Sequence, residues 1–305
     1  MPTTSSVIFA AIAVQSSIMG CFWFLRSSYA SHASWTRWIG SLGVSTVMVA
    51  YALKRKSLNS TGAAWAFPVG FALAFSSVRF MVALLAFFLT SSRLTKWKAK
   101  RKASVSDEYS NDASGRNYVQ VLCNGGVALA FSIVHVYVGG AGDRPLTPTA
   151  LGVLVSLACA CGDTWASEVG STIGWTEPRL ITTWERVPPG TNGGITLAGT
   201  MASAAGGFVT GAAYWLPGRM LGVGGGLFRF VLIGVVAGVF GSAVDSLLGA
   251  TLQYSGFDER TKRVVREPGI GVLHISGRDV LSNDAVNVLS CAVTTILLII
   301  LVGTI

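Results

Sequence analysis

The sequence predicts an all-α polytopic membrane protein with about seven or eight transmembrane helices. Of its 305 residues, 51% are hydrophobic and only 12% are charged, whereas a soluble domain has about 25% charged residues. The apolar residues also fall in runs, and a spanning helix needs about 20 predominantly apolar residues. The runs are 6–25, 38–53, 61–90, 118–139, 146–174, 194–216, 226–254 and 284–304.

The runs and the loops between them predict the organisation of the chain. Residues 1–53 are predicted to be N-terminal transmembrane helices. The first run has no basic residues before it and no clear small-residue cleavage site, so we expect a retained helix rather than a signal peptide. Residues 54–305 are predicted to be the main membrane domain, in which 61–90 forms either one tilted helix or two short ones. Its polar loops are 91–117, 175–193 and 255–283, the last expected to form a small hairpin with "EPGIG" at its turn.

The charge pattern predicts which loops share a side of the membrane. The formal net charge is +9, and the basic residues gather at 54–56, 91–102 and 258–278. The positive-inside rule predicts that these loops face the cytosol, although they could also attract anionic headgroups or phosphorylated substrates. If the loops 54–56 and 91–102 lie on the same side of the membrane, the run 61–90 must either cross the membrane twice or form a re-entrant segment. Nucleic-acid binding is not expected, because no basic surface with interleaved aromatic residues exists outside these short loops.

Small residues recur every fourth position in three of the runs. This spacing places them on one helical face, and such stripes let membrane helices approach closely. We therefore expect tight packing through these stripes of Gly, Ala and Ser. Their members are Gly162, Ala166, Gly170 and Gly174; Gly199, Ser203, Gly207 and Gly211; and Gly234, Gly238, Ser242, Ser246 and Ala250.

Three carboxylates lie in or beside apolar runs: Asp163, Glu168 and Asp245. A charged side chain costs about 2.5–3.5 kcal/mol at a bilayer centre on insertion scales. Such acids either reach the interface or pair with an arginine, or they act as ligands in a wet cavity. The second alternative gains from Thr164 and Ser167, which would add oxygen ligands of the kind that Mg²⁺ prefers.

Other polar residues in these segments allow two interpretations. The loop "VPPGTNGG" ends with Thr191, Asn192, Gly193 and Gly194, which form either an ordinary helix cap or a backbone nest for an anion. Asn124, Asn283 and Asn287 could bond between helices or hold a nucleotide or phosphate. Zinc is not expected, because the histidines are scattered and the cysteines form no metal-binding motif. The phosphate-binding sequence of P-loop NTPases does not occur.

Seven motifs occur in an order and spacing that resemble the transmembrane-protein-19-like family, which includes the phytyl-phosphate kinase of plants. They are "KRKSLNSTGA", "FFLTSSRLTK", "GRNYVQVLCNGG", "CGDTWASEVG", "LITTWERVPPGTNGGITLAGT", "GVFGSAVDSLLGATLQ" and "NDAVN". The resemblance covers about 54–290, and "DTWASEVG" with "GTNGG" and "DSLLGA" is its specific part. A looser likeness exists to CTP-dependent membrane lipid kinases.

The resemblance implies a polyprenyl (phytyl)-phosphate kinase that moves a phosphoryl group from a nucleoside triphosphate, CTP in preference to ATP, to an isoprenoid monophosphate. Asp163, Glu168 and Asp245 would hold Mg²⁺ or order the phosphates. Lys54, Lys56, Arg93, Lys96 and Arg116 would neutralise phosphate charge, and Thr191, Asn192, Gly193 and Gly194 would cradle phosphates. Asn124, Thr164, Ser167, Ser246, Asn283 and Asn287 would position nucleotide or substrate, with the isoprenoid tail between the small-residue stripes.

Two other functions compete with the kinase. A transporter of an ion or phosphorylated metabolite should show an inverted repeat. The sequence offers only a short similarity between "SEVGST" and "SLLGAT", which share the pattern S-x-x-G-x-T. A non-catalytic membrane protein would leave the carboxylates unexplained. The expected location is the endoplasmic reticulum, or the plastid envelope in a plant, and a homodimer is possible.

Overall fold

The computed structural model describes Gly20, 35–97, 115–139, 142, 144, 146–173, 177–222 and 225–303. The predicted first helix at 6–25, apart from Gly20, and residues 98–114 of the first polar loop lie outside the described residues. The described part contains eight helices of 17 residues or more. They are α1 (Trp35–Lys54), α2 (Ser60–Ser76), α3 (Val78–Lys96), α4 (Tyr118–Gly139), α5 (Pro148–Gly170), α6 (Leu197–Met220), α7 (Leu227–Leu252) and α8 (Asn283–Gly303).

Contacts at the two ends of the bundle show that successive helices alternate in direction. At one end, Asn59 N, just before α2, donates to Arg116 O, just before α4, at 3.1 Å. At the other end, Arg37 Nη1 in the first turn of α1 donates to Phe75 O in the last turn of α2, at 3.1 Å. We call the first the polar end, where α1, α3, α5 and α7 finish, and the second the far end.

The long run 61–90 crosses the bundle twice. Ser77 interrupts it in an extended conformation, with φ −161° and ψ 142°, and its side chain caps α3 by accepting from Arg79 N at 3.1 Å. The basic clusters on either side of this run do share the polar end, because Lys96 Nζ donates to the carbonyl of Arg55. Of the alternatives that the sequence left open, the run therefore forms two short helices and crosses twice.

Five described helices are long and apolar enough to span a bilayer: α3, α4, α5, α7 and α8, with mean hydropathies from 1.4 to 2.5. Their outer faces carry large apolar side chains, such as Val236 on α7 and Ile300 on α8, which are 40% and 59% exposed. Such side chains are stable in a lipid environment. In α5, by contrast, nearly every residue from Ala150 to Gly162 is buried, so α5 forms the centre of the bundle.

The small-residue stripes close the contacts between α5, α6 and α7. A Cβ added at Gly162 would lie 2.5 Å from Gly238 Cα, and one added at Gly207 would overlap the carbonyl of Gly234. These helices are therefore in backbone contact, as the four-residue spacing predicted. The same contact contradicts the expected place of the isoprenoid tail, because no groove is left between the stripes.

The polar loops form two small sheets at the polar end. Strands β1 (Arg179–Leu180) and β2 (Gly194–Ile195) pair antiparallel. Strands β3 (Ser255–Asp258), β4 (Arg263–Val265) and β5 (Val272–Ser276) form an antiparallel sheet in the order β4-β3-β5. The hairpin predicted at "EPGIG" is therefore wrong in detail, because this segment joins the two outer strands while β3 lies between them.

Candidate functional site

A cavity of about 470 Å³ lies at the polar end, where six helix ends meet. The last turns of α3, α5 and α7 and the first turns of α4, α6 and α8 form its walls, and the loop 189–196 and Arg266 add to them. Small-molecule sites measure about 300–1,000 Å³, so this cavity is large enough for a nucleotide phosphate chain and a second phosphate.

The cavity brings together most of the residues that the sequence analysis singled out. All three acids line it, with Arg116, the loop residues and every residue assigned to nucleotide or substrate. These lining residues are Asp163, Glu168, Asp245, Arg116, Thr191, Asn192, Gly193, Gly194, Asn124, Thr164, Ser167, Ser246, Asn283 and Asn287. Residues that are far apart in the sequence therefore line the same cavity.

Four predicted phosphate-binding cations do not line the cavity. Lys54, Lys56, Arg93 and Lys96 are exposed at the polar end, outside the cavity walls. The prediction that they neutralise a phosphate bound there is not supported by their position. An excess of positive charge in loops on one side of a membrane protein is what the positive-inside rule describes, and that rule accounts for these residues.

Asp163 of α5 and Asp245 of α7 lie near each other in the cavity wall. The two carboxylates are close enough to interact electrostatically, and the Ser242 hydroxyl donates to Asp163. Ser290, which is 2% exposed on α8, donates through Oγ to Asp245 Oδ2 at 3.1 Å. Two serines therefore orient an aspartate pair from two helices. The sequence analysis placed Ser242 only in a packing stripe and missed Ser290.

The aspartate pair suits a magnesium ion. Mg²⁺ is usually held by one or two carboxylates together with substrate phosphates and water, and two neighbouring carboxylates provide such a set. Glu168 also lines the cavity but is 6% exposed and one turn further along α5. Among the described residues, no group of three or more Asp, Glu, His or Cys side chains is arranged to hold a metal. Glu168 is therefore not brought into one ligand group with the aspartates.

Hydroxyl and amide groups on the cavity wall are oriented by their own helices. Thr164 Oγ1 donates to Ala160 O at 2.8 Å, and Ser167 Oγ donates to Thr164 O at 3.0 Å. Asn124 Nδ2 donates to Gln120 O at 2.9 Å. Because these protons are used within the helices, the oxygens of the same side chains are left to act as acceptors toward the cavity.

Three of the six helix ends at the cavity are helix starts, whose first-turn N–H groups favour an anion close to them, while the C-terminal ends of α3, α5 and α7 offset their positive charge elsewhere on the wall. At α4, Gln120 N donates to Asn117 Oδ1 and Asn117 N donates to Gln120 Oε1, both at 3.1 Å. At α6, Gly199 N donates to Thr196 Oγ1 at 3.0 Å. Each helix start carries about half a positive charge and favours an anion. The first turn of α8 also reaches the cavity, and its Asp284 adds a carboxylate.

Two arginines add full positive charge to the wall. Arg116 Nη2 donates to Thr95 Oγ1 at 3.2 Å, which holds the guanidinium beside the last turn of α3. Arg266 Nη1 lies 3.5 Å from Ser255 Oγ, so the small sheet carries it to the cavity. The sequence analysis counted Arg266 only within the basic cluster 258–278, and only the strand order reveals where it lies.

The loop residues Thr191–Gly194 form a wall rather than a phosphate nest. Thr191 N donates to Pro188 O at 3.2 Å, and Gly194 N donates to Thr191 O at 3.0 Å. Asn192 N donates to Ser255 Oγ at 3.0 Å. Gly193 has φ +75°, and a Cβ there would lie 2.6 Å from Ser246 O, so the loop is packed against α7. The predicted cradle of backbone N–H groups is wrong for these three donors, which are already bonded.

The chain is similar to several known membrane proteins. Residues 43–295 match the family described as Integral membrane protein DUF92. Protein PGR from Arabidopsis thaliana is 38% identical over 274 residues, which cover 86% of this chain and 94% of PGR. The uncharacterized membrane protein MJ0933 from Methanocaldococcus jannaschii is 32% identical over 206 residues, or 67% of this chain and 78% of that protein.

A more distant similarity is to Protein VTE6, chloroplastic, also from Arabidopsis thaliana. It is 27% identical over 223 residues, which cover 72% of this chain and 62% of VTE6. No solved structure matches. These similarities confirm the resemblance drawn from the motifs and the multi-pass membrane class. They give no support to the endoplasmic reticulum, and one relative is named as chloroplastic.

Proposed function

This chain belongs to the DUF92 family of integral membrane proteins, and from that premise we propose that it is a polyprenyl-phosphate kinase. The observation that carries the proposal is the cavity itself. Its walls combine an aspartate pair, two arginines and three helix starts at the polar end of a membrane bundle. A lipid phosphate presents its charged headgroup at a membrane edge, where this cavity lies.

The proposed reaction needs alignment and charge screening more than a strong base. An oxygen of the lipid monophosphate forms a bond to the γ-phosphorus of the nucleotide. The bond from that phosphorus to the β–γ bridging oxygen breaks, and the nucleoside diphosphate leaves with the electron pair. The attacking oxygen already carries negative charge, so the protein must bring two anions together and hold them in line.

Different residues of the cavity would screen the charge of the phosphates and align them. Asp163 and Asp245 would hold Mg²⁺, which screens the charge of the phosphates when bound. Ser242 and Ser290 fix the orientation of those carboxylates. Arg116 would bind the lipid phosphate, and Arg266 would neutralise the nucleotide phosphates. CTP is the proposed donor in preference to ATP, on the ground of the likeness to CTP-dependent lipid kinases.

The position of the cavity favours an enzyme over a transporter. Below the polar end, α5, α6 and α7 are in backbone contact. The core beneath the aspartates is filled by buried side chains of α5, among them Cys159 and Val155. A transporter must open its site alternately to both sides of the membrane, and here that would require separating helices joined by backbone contact.

A labelled-transfer assay on the purified protein in detergent tests this proposal. Phytyl, farnesyl and geranylgeranyl monophosphate are each offered with γ-labelled CTP or ATP, with and without Mg²⁺. We expect label in a lipid diphosphate only when Mg²⁺ is present, with CTP as the better donor. Asp245→Asn should lower the rate by about 100-fold or more, the usual effect of removing a group that stabilises transferred charge.

Glu259→Gln is the matched control, because Glu259 is exposed in the turn after β3 and lies outside the cavity. It changes charge as Asp245→Asn does and should leave the rate unchanged. Absence of transfer with every pair, from protein shown to be folded, would contradict the kinase. Uptake of a labelled anion into proteoliposomes would then favour the transporter.

The membrane in which the protein acts is a further part of the proposal. We place it in the endoplasmic reticulum, or in the plastid envelope if the chain is a plant protein. A fluorescent fusion viewed with markers for both membranes distinguishes them, and fluorescence on the plasma membrane alone would contradict both.

A further inference from the structure

A second, smaller cavity of about 60 Å³ lies between α1, α2, α3 and α4. Its walls are mainly apolar, and the apolar side chains come from all four helices: Met48 of α1, Val69 of α2, Leu84 and Phe87 of α3, and Val121 of α4. Ala66 of α2 and Gly125 of α4 also line the cavity, and the larger side chains around them leave a gap. The gap between them is therefore apolar space inside the bundle.

The apolar cavity adjoins the polar one. Arg116, Gln120 and Asn124 line both cavities. Gln120 and Asn124 are four residues apart on one face of α4, and Val121 lies beside that face, so the cavity wall changes from amide groups to an apolar side chain around the helix. A molecule with a charged phosphate at one end and an apolar chain at the other would match this change of polarity at the position of Arg116.

We propose that the apolar cavity binds the part of an isoprenoid chain next to the phosphate. The proposal rests on the proposed kinase function, which supplies a lipid monophosphate as the molecule that spans the two cavities. The phosphate would contact Arg116 in the polar cavity, and the first carbons would pass Asn124 and Gln120 into the apolar one. The rest of the chain would lie in the bilayer.

The size of the cavity limits how much of the chain it holds. An apolar cavity of about 150 Å³ accepts a benzene molecule, which corresponds to about 25 Å³ for each carbon. By that measure, the cavity of about 60 Å³ holds roughly two or three carbons, about half of one isoprene unit. We expect the site to select for the branched carbons nearest the phosphate and to tolerate different total chain lengths.

Photolabelling tests this assignment without requiring catalysis. The probe is a farnesyl monophosphate analogue with a diazirine on the isoprene unit next to the phosphate. In the wild-type protein, label should fall on cavity residues such as Met48, Val69 or Leu84. Val69→Phe fills the cavity and should lower that labelling by about 10-fold, within the usual range for a misfit in an apolar pocket.

Val47→Phe is the matched control, since Val47 is 69% exposed on the outer face of α1, and its labelling should equal that of the wild type. If Val69→Phe fails to fold, Gly125→Ala is the milder test. Its new Cβ would lie 3.2 Å from Val69 Cγ1 at the cavity wall, and we expect a smaller reduction of the same kind.

Several outcomes would overturn the proposal. Label only on exposed helix faces, or undiminished label in Val69→Phe, would show that the chain does not enter the cavity. A diazirine phosphatidic acid that labels the same peptides, and that farnesyl monophosphate does not displace, would assign the cavity to a bilayer lipid.

The proposed kinase function can fail separately. Normal cavity labelling in a protein that never transfers phosphate would contradict the kinase and still support the lipid-phosphate site.

Discussion

Both ends of the bundle contain buried polar groups, but among the described residues those at the far end are enclosed by packed side chains, whereas those at the polar end lie at a cavity. At the far end, Arg79 is 1% exposed and lies over the rings of Tyr214 and Phe230, with its Cζ 5.7 and 5.5 Å from their centroids. Gly218 leaves room for its guanidinium, since a Cβ there would overlap it. The guanidinium charge of Arg79 is therefore enclosed by the aromatic rings and the helix packed around it.

His135 at the far end is enclosed in the same way. Its Nδ1 lies 2.9 Å from Thr149 Oγ1, and its Nε2 lies 3.3 Å from the carbonyl oxygen of Gly142. At the polar end, Asp163 and Asp245 instead line a 470 Å³ cavity. The difference indicates that burial alone does not mark a functional charge, and that space for a ligand beside the charge does.

The largest expected effect is on activity at the polar end. Asp163→Asn should reduce phosphoryl transfer by about 100-fold or more. Its melting temperature in detergent should stay equal to that of the wild type or rise, because the substitution relieves the repulsion between two neighbouring carboxylates. Transfer rate and thermal unfolding are measured on the same preparation. A melting temperature that falls together with activity would make Asp163 a structural residue.

Arg79→Met should have the opposite result at the far end. The substitution keeps much of the side-chain volume but removes the charge from the aromatic rings. We expect a loss of about 2–4 kcal/mol in the free energy of unfolding. Transfer per folded molecule should stay within about two-fold of the wild type, a small change for a site remote from the chemistry. If activity disappears from folded Arg79→Met protein, the far end contributes to function and the comparison fails.

A smaller effect is expected for Ser290→Ala, which removes the hydroxyl that donates to Asp245. Partners that orient a metal-binding carboxylate typically contribute about 10-fold or more to metal affinity or activity. The Mg²⁺ concentration that gives half-maximal transfer should therefore rise by about 10-fold. Ser156→Ala, a buried serine on α5 that donates to Val153 O, is the control and should leave that concentration unchanged. An unaltered Mg²⁺ dependence in Ser290→Ala would remove the serine from the site.

The smallest effect is expected for the exposed cations. Lys54→Gln and Lys56→Gln should change transfer by less than about two-fold, because both side chains lie outside the cavity and exposed charges interact weakly through water. A loss as large as that of Arg116→Ala would show that they reach the phosphates. Measuring these three variants in the same assay distinguishes the exposed cations outside the cavity from Arg116 in its wall.

Much of this arrangement follows from local sequence patterns. The apolar runs predicted the membrane class, and the basic clusters on either side of 61–90 indicated either the second crossing, which Ser77 provides, or a re-entrant segment. Small residues at every fourth position, in the stripes that contain Gly162 and Gly238, predicted close packing of the helices. Local patterns succeed here because helix periodicity and loop charge depend on residues near one another in the chain.

What the sequence did not predict depends on contacts between distant segments. Ser290 reaches Asp245 across 45 positions, and Arg266 reaches the cavity only through the order of three strands. The convergence of three helix starts requires knowing that α4, α6 and α8 begin at the same end. The loop "TNGG" resembled an anion nest because its own residue types permit one, while the donors that it uses internally are fixed by the docking of the loop on β3 and α7.

The most direct test of the central claim is whether a nucleotide binds at the polar end with magnesium. The measurement is the shift in melting temperature caused by CTP, since a ligand that binds the folded state raises its stability. The account predicts a CTP shift that requires Mg²⁺, is lost in Asp163→Asn and persists in Arg79→Met. A shift that needs no Mg²⁺, or that survives in Asp163→Asn, would contradict the assignment of the polar cavity as the phosphate site.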